Sequence, residues 1–223
     1  AWDFIQKNES WIRKQMSVTG VRTWLELKGI SCIAIEQNPS GKQNICTSRS
    51  FGEEISDFPV LLESVAYFTA SCARKLRGQK SVAGIITVFL YTNRFKKEVP
   101  QYYPSITVHL PVPSANPGEL IKYARMSLKQ IYRPGYKYKK AGVIVSDITS
   151  ASNVQCSLFD ATDRHKQAKI LSVIDTVNRK YGTDTLRSCA QPPNCFRKWS
   201  LKSQYISRRY TTNINDIIVL NCK

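Results

Sequence analysis

Histidine, methionine and acidic side chains are scarce in this 223-residue chain, and long apolar runs are missing. Two histidines, His109 and His165, leave little for zinc ligation. The longest strongly apolar run, Val82 to Tyr91, is ten residues and contains Gly84, far short of the roughly 20 a spanning helix needs. No membrane association is expected. Seven cysteines (32, 46, 72, 156, 189, 195 and 222) make an odd, scattered set without a CxxC pair. They read as reduced, mostly core thiols of a cytoplasmic protein, and the Cys189/Cys195 pair lacks the histidines a zinc site would need. Gly41-Lys42 lacks the upstream glycine of a phosphate-binding loop, so it reads as a turn. The opening Ala1-Trp2-Asp3 carries no Met and no signal peptide, which suggests a piece of a longer chain.

What the chain has in excess is positive charge. Lys and Arg number 33 against 16 Asp and Glu, a net +17 with a pI near 9.7. A globular chain that basic usually meets a polyanion, nucleic acid or an anionic surface. The excess is uneven: net +2 over 1–48, +8 over 49–150 and +7 over 151–223. No internal repeat or low-complexity tract interrupts it.

The pattern divides the chain into four parts: a helical 1–34, a polar linker 35–43, a sheet domain 44–150 and an extension 151–223. Helical character runs over Ser10–Met16 and again over Ser17–Lys28, with Val18, Val21, Leu25 and Lys28 on one side and Gly29 as the stop. A strand over 44–51 precedes a helix over 57–77, whose Phe58, Leu61, Leu62, Val65, Phe68, Cys72 and Leu76 form one apolar face. Strands follow over 81–94 and 104–112. A helix capped by Asn116-Pro117-Gly118-Glu119 carries the stripe Ile121, Ala124, Leu128 and Ile131, and a last strand spans 137–147. The order β-α-β-β-α-β predicts an α+β fold: a four-stranded antiparallel sheet with both helices on one face. Ile106, Val108 and Leu110 should meet the helices, leaving Ser105, Thr107 and His109 on an open polar face. Glu53-Glu54 reads as a helix start, Asp160 and Asp163 as another, and the extension holds a helix over 166–181 and a possible strand over 185–187.

An open sheet in a basic domain suits a nucleic-acid backbone. Candidate phosphate contacts are Arg49, Ser50, Lys80, Arg94, Lys96, Lys97, Lys137, Lys139 and Lys140, with Tyr136 and Tyr138 available for stacking. RNA-recognition domains share this topology, but they need aromatics on the third strand. Ser105–Leu110 has none, so that reading fails.

Several runs resemble Y-family translesion DNA polymerases of the UmuC branch. Arg22-Thr23-Trp24-Leu25-Glu26-Leu27-Lys28-Gly29, with Cys32 after it, looks like the end of the thumb. Thr47-Ser48-Arg49-Ser50-Phe51-Gly52 resembles the opening of the little finger, and Tyr138-Lys139-Lys140-Ala141-Gly142-Val143 its last strand. Trp199-Ser200-Leu201-Lys202 and Ser207-Arg208-Arg209-Tyr210-Thr211-Thr212 resemble the UmuC-type tail, with Arg208 standing where the family has Pro.

The resemblance implies the end of the thumb, the little finger and the C-terminal extension of such a polymerase. It implies no catalytic residues, metal or cofactor in this chain, because the palm carboxylates that hold two Mg²⁺ would lie before Ala1. Gln155-Cys156-Ser157-Leu158-Phe159 resembles the peptide that docks polymerases on the sliding clamp, with Gln155, Ser157, Leu158 and Phe159 as contacts. Burying two such anchors contributes roughly 3–6 kcal/mol, about 1.5–3 each. Alone that means affinities of about millimolar to tens of micromolar, so tethering would rely on DNA and clamp held together. The competing reading is that Leu158 and Phe159 staple the following helix. Partners implied by the resemblance are damaged or primer–template DNA, the clamp, processed UmuD and the recombinase filament of the SOS response. Two other readings stay open: a stand-alone nucleic-acid-binding protein, and an interaction module for an acidic partner.

Overall fold

The computed structural model describes all residues except 38–39, 97, 156, 158–159, 161, 192–198, 202–205 and 219–223. The chain forms two compact units, Ala1–Gly41 and Lys42–Lys223.

In the first unit, α1 (Trp2–Ile5) packs against α2 (Glu9–Leu27). Asn8 caps α2 by accepting from the Trp11 N–H at 2.8 Å. The helix breaks at Ser17 (φ 59°, ψ −162°), which matches the two runs read from sequence. Its buried residues are Ile12, Val21 and Trp24, and the Trp24 indole donates to the Ile5 carbonyl at 3.0 Å. Val18 and Lys28, expected on that face, are exposed, because the break at Ser17 rotates the second run. Gly29 ends α2 in the left-handed region (φ 85°). There its N–H reaches Glu26 O and the Ile30 N–H reaches Leu25 O, each at 3.0 Å.

The second unit is built on β1 (Ile45–Ile55), α3 (Phe58–Gly78), β2 (Ser81–Thr92), β3 (Ser105–Ser114), α4 (Pro117–Ile131) and β4 (Tyr138–Ser150). The strands pair antiparallel in the order β1-β4-β2-β3. Helices α3 and α4 cover one face, as the periodicity predicted. Leu61, Val65, Phe68, Cys72 and Leu76 of α3 and Leu120, Ala124, Leu128 and Ile131 of α4 meet Ile86, Val88, Leu90, Val143 and Val145. Proline at 111 and 113 is tolerated because β3 is an edge strand.

Three expectations need correction. Glu53 and Glu54 lie inside β1, since the edge strand runs on past a pairing irregularity between Ser50 and Ile55. Residues 185–187 form no strand, because after α5 (Arg164–Tyr181) the chain bends back and the Leu186 N–H and carbonyl bond the Asn178 side chain of that helix at 2.8 and 2.9 Å. Among the described cysteines only Cys72 is buried; Cys46 and Cys189 are exposed and Cys32 is half-buried. Cys72 Sγ lies 3.3 Å from Thr47 Oγ1, and burial pushes its thiol pKa up. Among the described residues, no helix is long and apolar enough to cross a membrane.

Candidate nucleic-acid interface

Strand alternation decides which side chains reach the open face. Directly paired residues share a face, so the register gives rows across the sheet. One row is Ser50–Lys140–Tyr91. The next is Ser48–Gly142–Phe89–Ser105, and beyond it lie Cys46–Ile144–Thr87–Thr107 and Ser146–Ile85–His109. The face is therefore dominated by hydroxyls, and Thr87 and Thr107 hydrogen-bond across strands at 2.8 Å. Such groups suit phosphate oxygens and carry no sequence code.

Gly142 keeps this face shallow. A Cβ there would lie 2.3 Å from Phe89 Cζ and 2.5 Å from Ser48 Cβ, so only glycine lets the Phe89 ring lie against the sheet. From Phe89 an aromatic file continues to Tyr91 at 4.9 Å and Tyr103 at 5.6 Å between ring centroids. Sequence reasoning looked for aromatics on the third strand and missed them on the second. Alternation along Val88–Thr92 was the signal available.

The basic candidates are sorted by position along the strands. Ser50, Arg94, Lys96, Lys137, Lys139 and Lys140 gather at one end of the sheet, where β1 and β4 meet the end of β2. Arg49 pairs with Ala141 near that end, but alternation puts it on the helix-side face of the edge strand. Lys80 sits at the opposite end, in the α3–β2 turn with φ 54°, about 36 Å away at roughly 3.3 Å per residue. It is not part of the cluster. Lys97 lies outside the described residues.

Two of the cluster's lysines are already engaged. Lys96 Nζ pairs with Glu54 at 2.9 Å, and that hydrogen bond is the first reason the Glu54 carboxyl is held below its ordinary value of 4.5. Lys139 occupies a bulge in β4, where Tyr91 pairs with Lys140 and Thr92 with Tyr138. Its Nζ donates to the Gly52 carbonyl at 3.2 Å and so holds the irregular stretch of β1. Lys137, exposed just before β4, and Lys140, half-buried on the open face, are the lysines left for a ligand here.

The stacking role expected of Tyr138 is wrong. Its ring is fully buried on the helix side, and its hydroxyl accepts from the Arg133 N–H at 2.9 Å and donates to the Arg133 carbonyl at 3.1 Å. The bulge at Lys139 flips Tyr138 inward, which uninterrupted alternation could not foresee. Tyr136 packs on Tyr102 at 4.8 Å and belongs to the same cluster of rings.

After β4 the chain passes Gln155 and Ser157, both exposed, while Cys156, Leu158 and Phe159 lie outside the described residues. Asp163 caps α5 by accepting from the Lys166 N–H at 2.9 Å. Helix α5 then docks on the two sheet helices through polar contacts. Arg77 grips Asp175 with two 2.7 Å hydrogen bonds, and Asn116 donates to Gln167 at 2.6 Å. Farther on, Trp199 is fully buried with its ring 5.2 Å from Tyr67 and 5.3 Å from Phe68, and Ser200 O accepts from the Gly52 N–H at 3.2 Å. Among the described residues no three His, Cys, Asp or Glu side chains converge.

Residues 42–158 match the C-terminal domain of the impB/mucB/samB family. The chain belongs to that family. Residues 168–220, which include most of α5, match a second domain whose function is unknown. The chain is 35% identical to the protein UmuC of Salmonella typhimurium over 216 residues, 96% of this chain and 51% of that protein. ImpB of Salmonella typhimurium is 34% identical over 219 residues, 97% of this chain and 51% of ImpB. MucB of Escherichia coli is 32% identical over 222 residues, 99% of this chain and 52% of MucB. The chain thus corresponds to the C-terminal part of UmuC-like proteins and spans about half their length. The motifs that resembled the UmuC branch fall within these matches.

Proposed function

We propose that this chain is the DNA-gripping and clamp-tethering part of an error-prone translesion DNA polymerase acting in SOS mutagenesis. The observation that carries the reading is the open, hydroxyl-lined sheet face of a UmuC-like domain, with Lys137 and Lys140 at one end. In this proposal the face lies along the phosphates of a primer–template duplex. Contact with phosphates alone tolerates a distorted lesion site, because no base edge has to be read. The chain itself is proposed to be non-catalytic, with its metal-dependent chemistry residing in the remainder of a longer polymerase. Gln155, Ser157, Leu158 and Phe159 are proposed to dock on the sliding clamp, so that each weak contact raises the effective concentration of the other. Processed UmuD and the recombinase filament are further proposed partners of the extension, and the cytoplasm is the proposed location.

The test is anisotropy titration of a labelled primer–template duplex from about 50 to 200 mM salt, with a Lys137→Ala/Lys140→Ala variant alongside. Binding should weaken steeply with salt, and the double variant should flatten the log–log slope by about two, near 0.9 per phosphate contact. Absence of binding at low salt would overturn the proposal and favour an acidic protein partner. For the tether, Leu158→Ala/Phe159→Ala should abolish retention on a loaded clamp while leaving the DNA titration unchanged.

A further inference from the structure

The connection between β2 and β3 presents an aromatic side chain that the grip does not use. Phe95 is 88% exposed, at the turn of a loop whose Arg94 and Lys96 flank it. Isolated exposed phenylalanines are common, but this one sits on a braced support. The two N–H groups of the Gln101 side-chain amide are shared among the carbonyls of Lys96 at 2.7 Å, Val99 at 3.0 Å and Asn93 at 3.3 Å. Its Oε1 accepts from Thr92 Oγ1 at 3.1 Å and from the Tyr103 hydroxyl. Asn93 Oδ1 accepts from the Phe95 N–H at 3.1 Å, and the Lys96–Glu54 pair ties the far side of the turn to β1. The turn is therefore held at Asn93, at the Phe95 N–H and at Lys96 while the Phe95 ring stands in solvent.

The loop is also in line with the open face. The file Phe89–Tyr91–Tyr103 runs toward it, and Tyr103 bonds the same Gln101 that braces it. A strand leaving the sheet at the Lys137/Lys140 end would meet Arg94 and Lys96 with Phe95 between them. A cation next to an exposed ring, here Arg94 because Lys96 is held by Glu54, suits a single strand: a phosphate is held while a base lies on the aromatic face.

We infer that Phe95 is a stacking site for an unpaired nucleobase, where single-stranded DNA leaves the duplex held on the sheet. Gln101 is the positioning residue that keeps the ring presented. The inference rests on the nucleic-acid reading above, and adds to it a preference for duplex with a single-stranded overhang. A buried wedge between paired bases is disfavoured because the loop lies at the end of the sheet, beyond the rows that face the duplex.

The experiment uses the full chain with two probes of equal duplex length, one blunt and one carrying a 5′ overhang with 2-aminopurine at its first unpaired position. Wild type should bind the overhang probe more tightly and quench the 2-aminopurine. Phe95→Ala should lose the quench and about 5- to 150-fold of overhang affinity, the span of one base–aromatic stack, with blunt-duplex affinity unchanged. Phe95→Trp should keep the quench, and Gln101→Ala should reduce it although the ring is present. Because Phe95 lies outside the core, its variants should melt with wild type. If Phe95→Ala binds both probes as wild type does, the stacking site is overturned while the DNA grip stands. If wild type binds neither probe, the proposed function fails and takes this inference with it.

Discussion

The sheet domain and helix α5 are held by different balances of force. Helices α3 and α4 bury continuous apolar faces against the sheet, with Leu61, Val65, Phe68, Leu120 and Leu128 fully inaccessible. Helix α5 has no fully buried residue: Leu171, Ile174 and Val177 are half-buried, and its polar ties are Arg77–Asp175, Asn116–Gln167 and a 3.6 Å pair between Arg164 and Glu119. Apolar burial is non-directional and insensitive to pH, whereas these contacts depend on geometry and charge. The domain is therefore expected to stay folded under conditions that release α5. Among the described residues of the extension, Trp199 is the fully buried apolar side chain, set on the α3 rings Tyr67 and Phe68. The family matches divide in the same place, one ending at residue 158 and the next beginning at 168.

The sharpest way to break this contrast is in the core. Phe68→Ala should cost about 3–5 kcal/mol in denaturant unfolding, because it removes a fully buried ring and a support of Trp199. Trp199→Ala should cost a comparable amount, and hydrogen exchange should rise around residues 199–200 and the Gly52 amide that bonds Ser200. If that exchange does not change, the extension is anchored elsewhere. Tyr138→Phe removes both bonds to Arg133 and should cost about 1–3 kcal/mol of domain stability, read from the same unfolding curves.

The polar attachment is tested separately. Asp175→Asn keeps the shape but removes the charge opposite Arg77, both partners being largely shielded from water. Exchange protection should fall in α5 with little change in the sheet. Loss of the whole domain's cooperativity instead would show that α5 is part of one folding unit. The smallest expected effect is at Glu54. Its folded pKa is lowered, so its contribution is present above the unfolded value near 4.5 and fades as pH falls through the folded value. A carboxyl NMR titration should show a depressed midpoint in wild type that Lys96→Ala moves upward.

Much of the fold was legible because its signals are local. The apolar positions 61, 65, 68, 72 and 76 recur at helical spacing, and all five are buried. Ser105, Thr107 and His109 alternate with Ile106, Val108 and Leu110 and face outward as read. The arrangement of the candidate interface was legible only in outline. Lys137, Lys140 and Ser50 do gather at one end, but Lys80 lies at the other and Arg49 points to the helix side. Tyr138 was misread because a bulge, created by pairing with two other strands, reverses the face of one residue.

Composition and periodicity by themselves determined a basic α+β domain with one covered face, since side-chain spacing dictates which residues can share a face. Tertiary structure alone decided what joins residues far apart in sequence. It brought Trp199 onto Phe68, Glu54 to Lys96 and Lys139 to the Gly52 carbonyl. It also brought Arg77 of α3 to Asp175 of α5, 98 residues away. Each of these contacts depends on register, bulges and packing between separate elements, and no local pattern encodes those.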